Sequence, residues 1–147
     1  YLIFIPNTSC SSKHWPNHSW TMLIEEMTRQ EVSVFIPWGN ENERINANRL
    51  TNKNPLANVL PYLSLNELAA VLASAKAVVA VDTGLSHLSA ALEIPTIVLY
   101  GPTNASLIGT IGPSQCHIKM AAGNNNQDNN TIVLKKITDN LRRILTL

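Results

Sequence analysis

The tripeptide Asp82-Thr83-Gly84 follows an apolar run, and its residue types suggest two kinds of chemistry. In an aspartic protease such a tripeptide carries the catalytic carboxylate. In an α/β domain, a polar turn between a strand and a helix binds phosphate, because the first helical amides lack internal partners and the helix dipole attracts anions. Residues Leu85 to Leu92 have helical spacing, which favours the phosphate turn, with the glycine permitting close backbone approach. An ordinary N-capped helix, with the aspartate or the threonine as the cap, stays open as an alternative.

Two further loops carry polar residues that suit a nucleotide diphosphate. Segment 6–13 contains several hydroxyl side chains, among them Thr8 and Ser9, and it ends at Lys13, whose ammonium would act as a point charge against phosphate. The carboxylate of Glu43 could accept hydrogen bonds from a pair of ribose hydroxyls. Both also have a simpler interpretation. Segment 6–13 could be a solvated serine-rich loop, and Glu43 could be a surface carboxylate.

Several common site motifs do not occur in the sequence. It contains neither the glycine-rich dinucleotide fingerprint nor the P-loop signature, and it has no nucleophile elbow. No paired-cysteine or His-Glu-x-x-His zinc motif and no Asp-x-Asp pair is present. A triad of Asp82, Ser86 and His87 is implausible because adjacent side chains on a helix diverge.

The elements that must position these loops alternate between strands and helices. Apolar or β-branched runs predict strands, and apolar residues at helical spacing predict helices. The predicted strands are 2–5, 32–36, 58–60, 77–81, 96–100 and a possible last one at 116–119. The predicted helices are 17–29 with Asn17 as N-cap, 41–51, one capped by Ser64 and Glu67 that ends near 73, 85–92, and an amphipathic segment from 131.

This alternation predicts an α/β fold with a doubly wound, mostly parallel, Rossmann-like sheet in a single domain, 1–147. In such sheets, ligands bind outside the carboxyl ends of the strands. That rule selects the loops that hold most of the unusual polar residues. They are 6–13, 37–43, 61–64, 82–87 and 101–104.

Composition narrows the class of protein further. The chain has 147 residues, of which 45% are hydrophobic and 14% charged, and its net charge is +1. No lysine- or arginine-rich run occurs, so a nucleic-acid partner is not expected. Two cysteines are too few for a disulfide scaffold, and no apolar run reaches the ~18–20 residues that span a bilayer. Because the sequence starts directly on a strand, we expect it to continue from a preceding domain.

The C-terminal part combines an asparagine-rich stretch with an amphipathic one. Low complexity at 123–130 predicts an unstructured loop. The segment after it places six apolar side chains on one helical face. They are Ile132, Val133, Ile137, Leu141, Ile144 and Leu145.

Taken together, these motifs resemble the C-terminal, donor-binding half of the ADP-heptose:lipopolysaccharide heptosyltransferases, a bacterial family with the two-domain GT-B architecture. The segment D-T-G-L-S-H-L-S-A-A-L-E-I-P-T followed by Y-G-P-T is similar to the family signature. K-H-W-P at 13–16 and P-W-G at 37–39 resemble the heptosyltransferase I branch of the family.

The resemblance implies a binding role for nine residues. Thr8 and Ser9 would contact the diphosphate, and Lys13 would reach a phosphate or the heptose. Glu43 would hold the ribose, and the backbone near Leu63 would meet adenine. Asp82 would bind heptose hydroxyls, Thr83 and Gly84 the β-phosphate, and His87 would lie beside it. The family commonly has threonine in place of the serine at 9 and methionine in place of the leucine at 63.

The resemblance also implies what the chain does and what it lacks. The family transfers heptose from ADP-L-glycero-D-manno-heptose to a Kdo sugar of the inner core, with inversion and without a cofactor or an obligatory metal. The general base and the lipid A-Kdo acceptor site would belong to an N-terminal domain that precedes this sequence. We therefore expect the chain to bind ADP or ADP-heptose without turnover, and the whole protein to be cytoplasmic and peripheral at the inner membrane. A non-catalytic nucleotide-binding module, a gene remnant, another GT-B enzyme and a sugar-nucleotide epimerase half stay open as alternatives.

Overall fold

A computed structural model of the chain describes residues 1–101, 109–121 and 126–146. These residues form a six-stranded sheet in the order β3-β2-β1-β4-β5-β6, and every strand pair is parallel. The strands are β1 (Leu2–Ile5), β2 (Val34–Ile36), β3 (Ala57–Val59), β4 (Ala77–Val81), β5 (Thr96–Tyr100) and β6 (Gln115–Lys119). The predicted doubly wound parallel sheet is confirmed, and its order reverses between β1 and β4, where such folds bind ligands.

Five α-helices in the described residues cover both faces of the sheet. They are α1 (Asn17–Arg29), α2 (Glu41–Thr51), α3 (Leu65–Ala73), α4 (Gly84–Ala91) and α5 (Gln127–Leu145). One hydrophobic cluster joins the sheet to α1, α2 and α5, and the other joins it to α3 and α4. Strand β1 is buried on both faces because its side chains alternate between them. Leu2 and Phe4 belong to the first cluster, and Ile3 and Ile5 belong to the second. A strand that is buried on both faces reads as a continuous apolar run.

A cluster of aromatic rings fixes the start of α1 against the sheet. Trp15 and Trp20 are 2% and 0% exposed, and their ring centroids lie 5.2 Å apart in an edge-to-face arrangement. The ring of Phe4 on β1 lies 5.8 Å from that of Trp20. Because Lys13 lies only two residues before Trp15, this packing fixes where the loop after β1 ends.

The predicted boundaries differ from the structure at the start of α1 and β2. The N-cap of α1 is Pro16, and Asn17 is the first helical residue, so its predicted capping role is wrong. The side chain of Asn17 instead donates to Asn46 Oδ1 at 2.7 Å. Strand β2 begins two residues later than predicted because the Val32 amide donates to the Met27 carbonyl and so belongs to the end of α1. The capping box of Ser64 is confirmed.

The asparagine-rich stretch was predicted to be unstructured through residue 130, and this is wrong from Gln127 onward. The side chain of Asn126 accepts a hydrogen bond from the Asn129 amide at 3.2 Å, and it caps α5 four residues earlier than predicted. Residues 122–125 lie outside the described part of the chain. Val133, Ile137 and Leu141 are buried as predicted, whereas Ile132 is 54% exposed. No helix in the described ranges is long and apolar enough to cross a membrane.

Candidate functional site

The carboxyl ends of the strands bring four of the selected loops to one edge of the sheet. Strands β1 and β4 are neighbours in the sheet, so loop 6–13 lies beside the turn at 82–84. On the other side of β1, the loops at 37–43 and 60–64 follow β2 and β3. The loop after β5 is described only as far as Gly101, because 102–108 lie outside the described residues.

An ion pair joins the loop after β1 to the end of β4. Lys13 Nζ lies 2.9 Å from Asp82 Oδ2, and the side chains are 25% and 5% exposed. Among the described residues, that oxygen has no hydrogen bond of good geometry, so the contact is an ion pair and not a well-aligned hydrogen bond. A carboxylate taken out of water needs a compensating charge, and the lysine supplies it. Lys13 ends a short 3₁₀ helix, Ser11–Lys13, that turns the chain back over the sheet edge.

A glycine lets this loop approach β5. A Cβ atom at Gly101 would lie 2.8 Å from the backbone oxygen of Ser12, which is closer than real Cβ contacts. The absence of a side chain therefore permits the backbone of the 3₁₀ helix to pass close to the end of β5. Sequence reasoning did not propose a role for Gly101.

The turn after β4 leaves open space at the N-terminus of α4. Thr83 is the N-cap, and Ser86 Oγ donates to its carbonyl at 2.6 Å. A Cβ atom built at Gly84 would meet no described protein atom within 4 Å. Gly84 and His87 are both exposed. Among the described residues, nothing therefore blocks an anionic group from the first turn of α4, whose leading amides lack partners within the helix.

Loop 6–13 holds its hydroxyl residues at the same edge through its own backbone. The half-buried Thr8 accepts from the Cys10 amide at 3.4 Å, and its carbonyl lies 2.9 Å from His14 Nε2. Ser9 and Cys10 are exposed. The hydrogen bond of Cys10 with the Ser12 hydroxyl, together with the nearby lysine, lowers the pKa of its thiol, whereas burial raises the pKa of the Cys116 thiol.

The carboxylate of Glu43 is held in the first turn of α2. The Gly39 amide donates to Glu43 Oε2 at 2.6 Å, and the Asn40 side chain caps the helix by accepting from the Glu43 amide at 3.0 Å. These two hydrogen bonds fix the direction of the carboxylate.

A cleft of about 240 Å³ lies between these loops. Its lining includes polar groups, namely Asn7, Gly39, Glu43 and Thr83. It also includes apolar and aromatic side chains, namely Ile5, Pro37, Trp38, Tyr62, Leu63, Leu65, Leu68 and Leu85. A cavity lined by both kinds of group suits a nucleoside, whose sugar is polar and whose base is a flat ring.

The structure thus brings most of the predicted site residues together. Glu43, Leu63 and Thr83 line one cleft, and Lys13 contacts Asp82 at the same sheet edge. The other predicted residues, Thr8, Ser9, Gly84 and His87, lie in the loop after β1 and in the first turn of α4, at the same edge of the sheet. Their individual roles stay predictions.

Three side chains that line the cleft and can contact a ligand, those of Asn7, Trp38 and Tyr62, were not among the predicted site residues. Trp38 and Tyr62 lie in loops that follow the carboxyl ends of strands, where ligands bind in such sheets. Their position in the sequence could therefore have indicated a role in the site. Asn7 accepts from Asn46 Nδ2 at 3.1 Å, and Asn46 is bound in turn by Asn17. No local pattern indicates this chain of side chains, because its members come from three separate elements.

A larger groove of about 440 Å³ lies between α1 and α5. Its rim includes the ion pair of Glu26 and Arg142 at 2.9 Å. The groove lies between helices, away from the strand ends, and none of the predicted site residues line it. We therefore place the candidate site in the smaller cleft.

Known proteins resemble this chain in both sequence and fold. The family model for glycosyltransferase family 9 (heptosyltransferase) matches residues 1–138. Lipopolysaccharide heptosyltransferase 1 of Pseudomonas aeruginosa is 50% identical over 118 residues, which are 80% of this chain and 33% of that protein. The E. coli heptosyltransferase WaaC solved with ADP has a TM-score of 0.87 and 42% identity, covering 95% of this chain and 44% of its own.

A second structure of E. coli WaaC, with ADP-2-deoxy-2-fluoro heptose, has a TM-score of 0.83 and 40% identity, covering 95% of this chain and 43% of its own. The chain spans 33% to 44% of the length of these relatives. The resemblance seen in the motifs is confirmed over nearly the whole sequence. With residues 1–138 of its 147 matched by the family model, this chain belongs to glycosyltransferase family 9, the heptosyltransferase family.

Proposed function

We propose that this chain is the donor-binding half of an inverting heptosyltransferase, which transfers L-glycero-D-manno-heptose from ADP-heptose to a Kdo residue of the lipopolysaccharide inner core. Membership of glycosyltransferase family 9 supports the proposal. So does the similarity to WaaC, which was solved with ADP and with ADP-2-deoxy-2-fluoro heptose.

The observation that carries the proposal is the ion pair of Lys13 and Asp82 beside the open N-terminus of α4. When ADP leaves the sugar, negative charge develops on the β-phosphate. The ammonium of Lys13, the amides that follow Thr83 and the exposed His87 would stabilise that charge, with close approach permitted at Gly84. The carboxylate of Asp82, held in place by the lysine, would accept hydrogen bonds from heptose hydroxyls.

The remaining assignments concern residues that line the cleft or the loop beside it. Glu43, fixed by the Gly39 amide, would accept from the ribose hydroxyls. The backbone at Leu63, which lines the same cleft, would meet adenine. Thr8 and Ser9 would complete the diphosphate site from the loop after β1.

In-line displacement also needs a base on the acceptor hydroxyl. We propose that this base and the lipid A-Kdo site belong to an acceptor domain N-terminal to residues 1–147. On this basis the chain binds donor but does not turn it over. We further propose that the whole enzyme needs no obligatory metal and is cytoplasmic and peripheral at the inner membrane. If the whole enzyme transfers heptose equally well in EDTA, this would support the absence of an obligatory metal. If it is recovered with membranes and released by salt, this would support the peripheral location.

Calorimetry of this chain with ADP, UDP and GDP tests the proposal. We expect binding of ADP and a clear preference for it over the other two. Preference for UDP would assign the chain to a different nucleotide-sugar enzyme, and binding of none would indicate a remnant without donor affinity. Steady-state heptose transfer by the chain alone would contradict the assignment of the base to another domain.

A further inference from the structure

Two of the most exposed large apolar side chains in the described residues are neighbours on the rim of the cleft. Tyr62 is 65% exposed and Leu65 is 67% exposed, and both line the cleft. Single exposed apolar residues are common, but an aromatic ring at the mouth of a pocket is more informative. Its exposed surface is available to a ligand that enters the cleft.

The ring of Tyr62 is held in place by a second ring. Trp38 Nε1 donates to the carbonyl of Leu60 at 2.7 Å, which fixes the indole. The centroid of the Tyr62 ring lies 5.5 Å from that of Trp38, with an interplanar angle of 59°. Such a tilted aromatic pair is favourable and restricts where the exposed ring can lie. The tyrosine is thus a supported wall of the cleft and not a free surface side chain.

The position of Glu43 determines how a nucleoside would lie in the cleft. The carboxylate lines the cleft, and it accepts only from donors such as ribose hydroxyls. With the ribose at Glu43, the base of the same nucleoside has the apolar and aromatic side chains of this cleft to contact, among them Trp38, Tyr62 and Leu63. Every nucleobase has a flat π-face that can stack on an aromatic side chain.

We propose that Tyr62, supported by Trp38, is the residue on which the base of the donor nucleotide stacks, and that this stacking supplies a large part of the affinity for the nucleotide. The inference rests on the proposed donor-binding function and adds a specific residue to it. Stacking does not depend on the pattern of donors and acceptors on the base. Tyr62 therefore provides affinity, while discrimination between bases depends on hydrogen bonds elsewhere in the cleft.

Calorimetry of this chain and its variants with ADP and with inorganic pyrophosphate, which has no base, tests the inference. We expect Tyr62→Ala to weaken ADP binding by about 5- to 150-fold, the range for one stacked base, and to leave pyrophosphate binding unchanged. Tyr62→Phe keeps the ring and should bind ADP nearly as the unmodified chain does. Ile132→Ala, an equally simple truncation of an exposed side chain on α5, should change neither affinity.

Tryptophan fluorescence gives an independent readout. Trp15 and Trp20 are buried in the core, so quenching on ADP binding should come from Trp38 and should be lost in Trp38→Phe. Unchanged ADP affinity in Tyr62→Ala would overturn the inference while leaving the proposed function intact. A parallel loss of pyrophosphate binding would also overturn it, since that would indicate a structural role. If the unmodified chain binds none of ADP, UDP and GDP, the proposed function and the inference both fail.

Discussion

Lys13 Nζ lies 2.9 Å from Asp82 Oδ2, and this contact joins the loop after β1 to the end of β4. The two residues are far apart in the sequence and come together because β1 and β4 are adjacent in the sheet. The carboxylate is almost completely buried and the ammonium is partly exposed. The pair therefore has both a structural role, since it neutralises a buried charge, and a position from which the lysine can reach a ligand.

Lys13→Ala should weaken binding of ADP-heptose by ~1.5–3 kcal/mol, because a charged donor is removed from the proposed phosphate site. Calorimetry measures this change. The matched control is Lys135→Ala, which removes an ammonium that lies 2.6 Å from Asp139 on the exposed face of α5. An exposed pair of this kind contributes little to stability and nothing to the site. Equal donor affinities in the two variants would refute the role of Lys13.

The same substitution should also lower the free energy of unfolding. Removal of Lys13 leaves Asp82 buried without its counter-charge, and we expect a cost of about 1–3 kcal/mol, below the range for a fully buried pair because the lysine is 25% exposed. Urea denaturation measures the change. Lys13→Ala combined with Asp82→Asn should recover much of the lost stability, since the uncompensated charge is gone. If the double variant is less stable than Lys13→Ala, the charge explanation is wrong.

Two glycines should respond in opposite ways to substitution by alanine. Gly101→Ala should destabilise the fold by about 1–3 kcal/mol, because the new Cβ would lie 2.8 Å from the Ser12 oxygen. Gly84→Ala meets open space in a helix and should stabilise the fold by about 0.4–1 kcal/mol. Thermal unfolding of both variants compares these effects. ADP affinity should nevertheless fall in Gly84→Ala, because the methyl group occupies space that the phosphate needs, and unchanged affinity would argue against a phosphate at this turn.

The two cysteines should differ in reactivity toward iodoacetamide. The thiolate is the reactive form, so a lowered pKa keeps Cys10 reactive at a lower pH than an ordinary thiol, and the raised pKa of Cys116 does the opposite. Mass spectrometry across pH 6–9 should show that Cys10 is modified first at every pH. Ser12→Ala removes the hydroxyl that lowers the pKa and should shift the Cys10 rate curve to higher pH. ADP should slow the labelling of Cys10, which lies in the proposed diphosphate loop, and leave Cys116 unaffected.

Asn46→Ala should destabilise the loop after β1. The side chain of Asn46 accepts from Asn17 at 2.7 Å and donates to Asn7 at 3.1 Å, so its removal breaks two hydrogen bonds between three elements. Each hydrogen bond contributes about 0.5–1.5 kcal/mol to the free energy of unfolding. The higher helix propensity of alanine offsets up to ~0.7 kcal/mol of the loss. Asn48→Ala is the control on the same helix, because its exposed amide donates only to the Arg44 carbonyl within α2. Denaturation curves should rank Asn46→Ala as the less stable of the two.

Much of the architecture could be predicted from local patterns. Continuous apolar runs indicate strands that are covered on both faces, and β4 and β5 begin and end at the predicted residues. The capping box of Ser64 and Glu67 was visible because its two members lie three residues apart. The start of α5 was not predicted correctly. Runs of asparagine resemble a loop in composition, and whether Asn126 acts as a cap depends on the backbone around it.

The turn at Asp82, Thr83 and Gly84 was determined by the sequence itself, because an apolar strand ends before it and a helix begins after it. No local sequence pattern predicts the order of the strands in the sheet, which only the tertiary structure determines. That order placed Lys13 against Asp82, set Glu43 and Leu63 on a common cleft, and supported the ring of Tyr62 on Trp38. Contacts between separate loops depend on which strands pair and on how closely the loops pack. Both depend on how the whole hydrophobic core is buried, and a short stretch of sequence does not specify that.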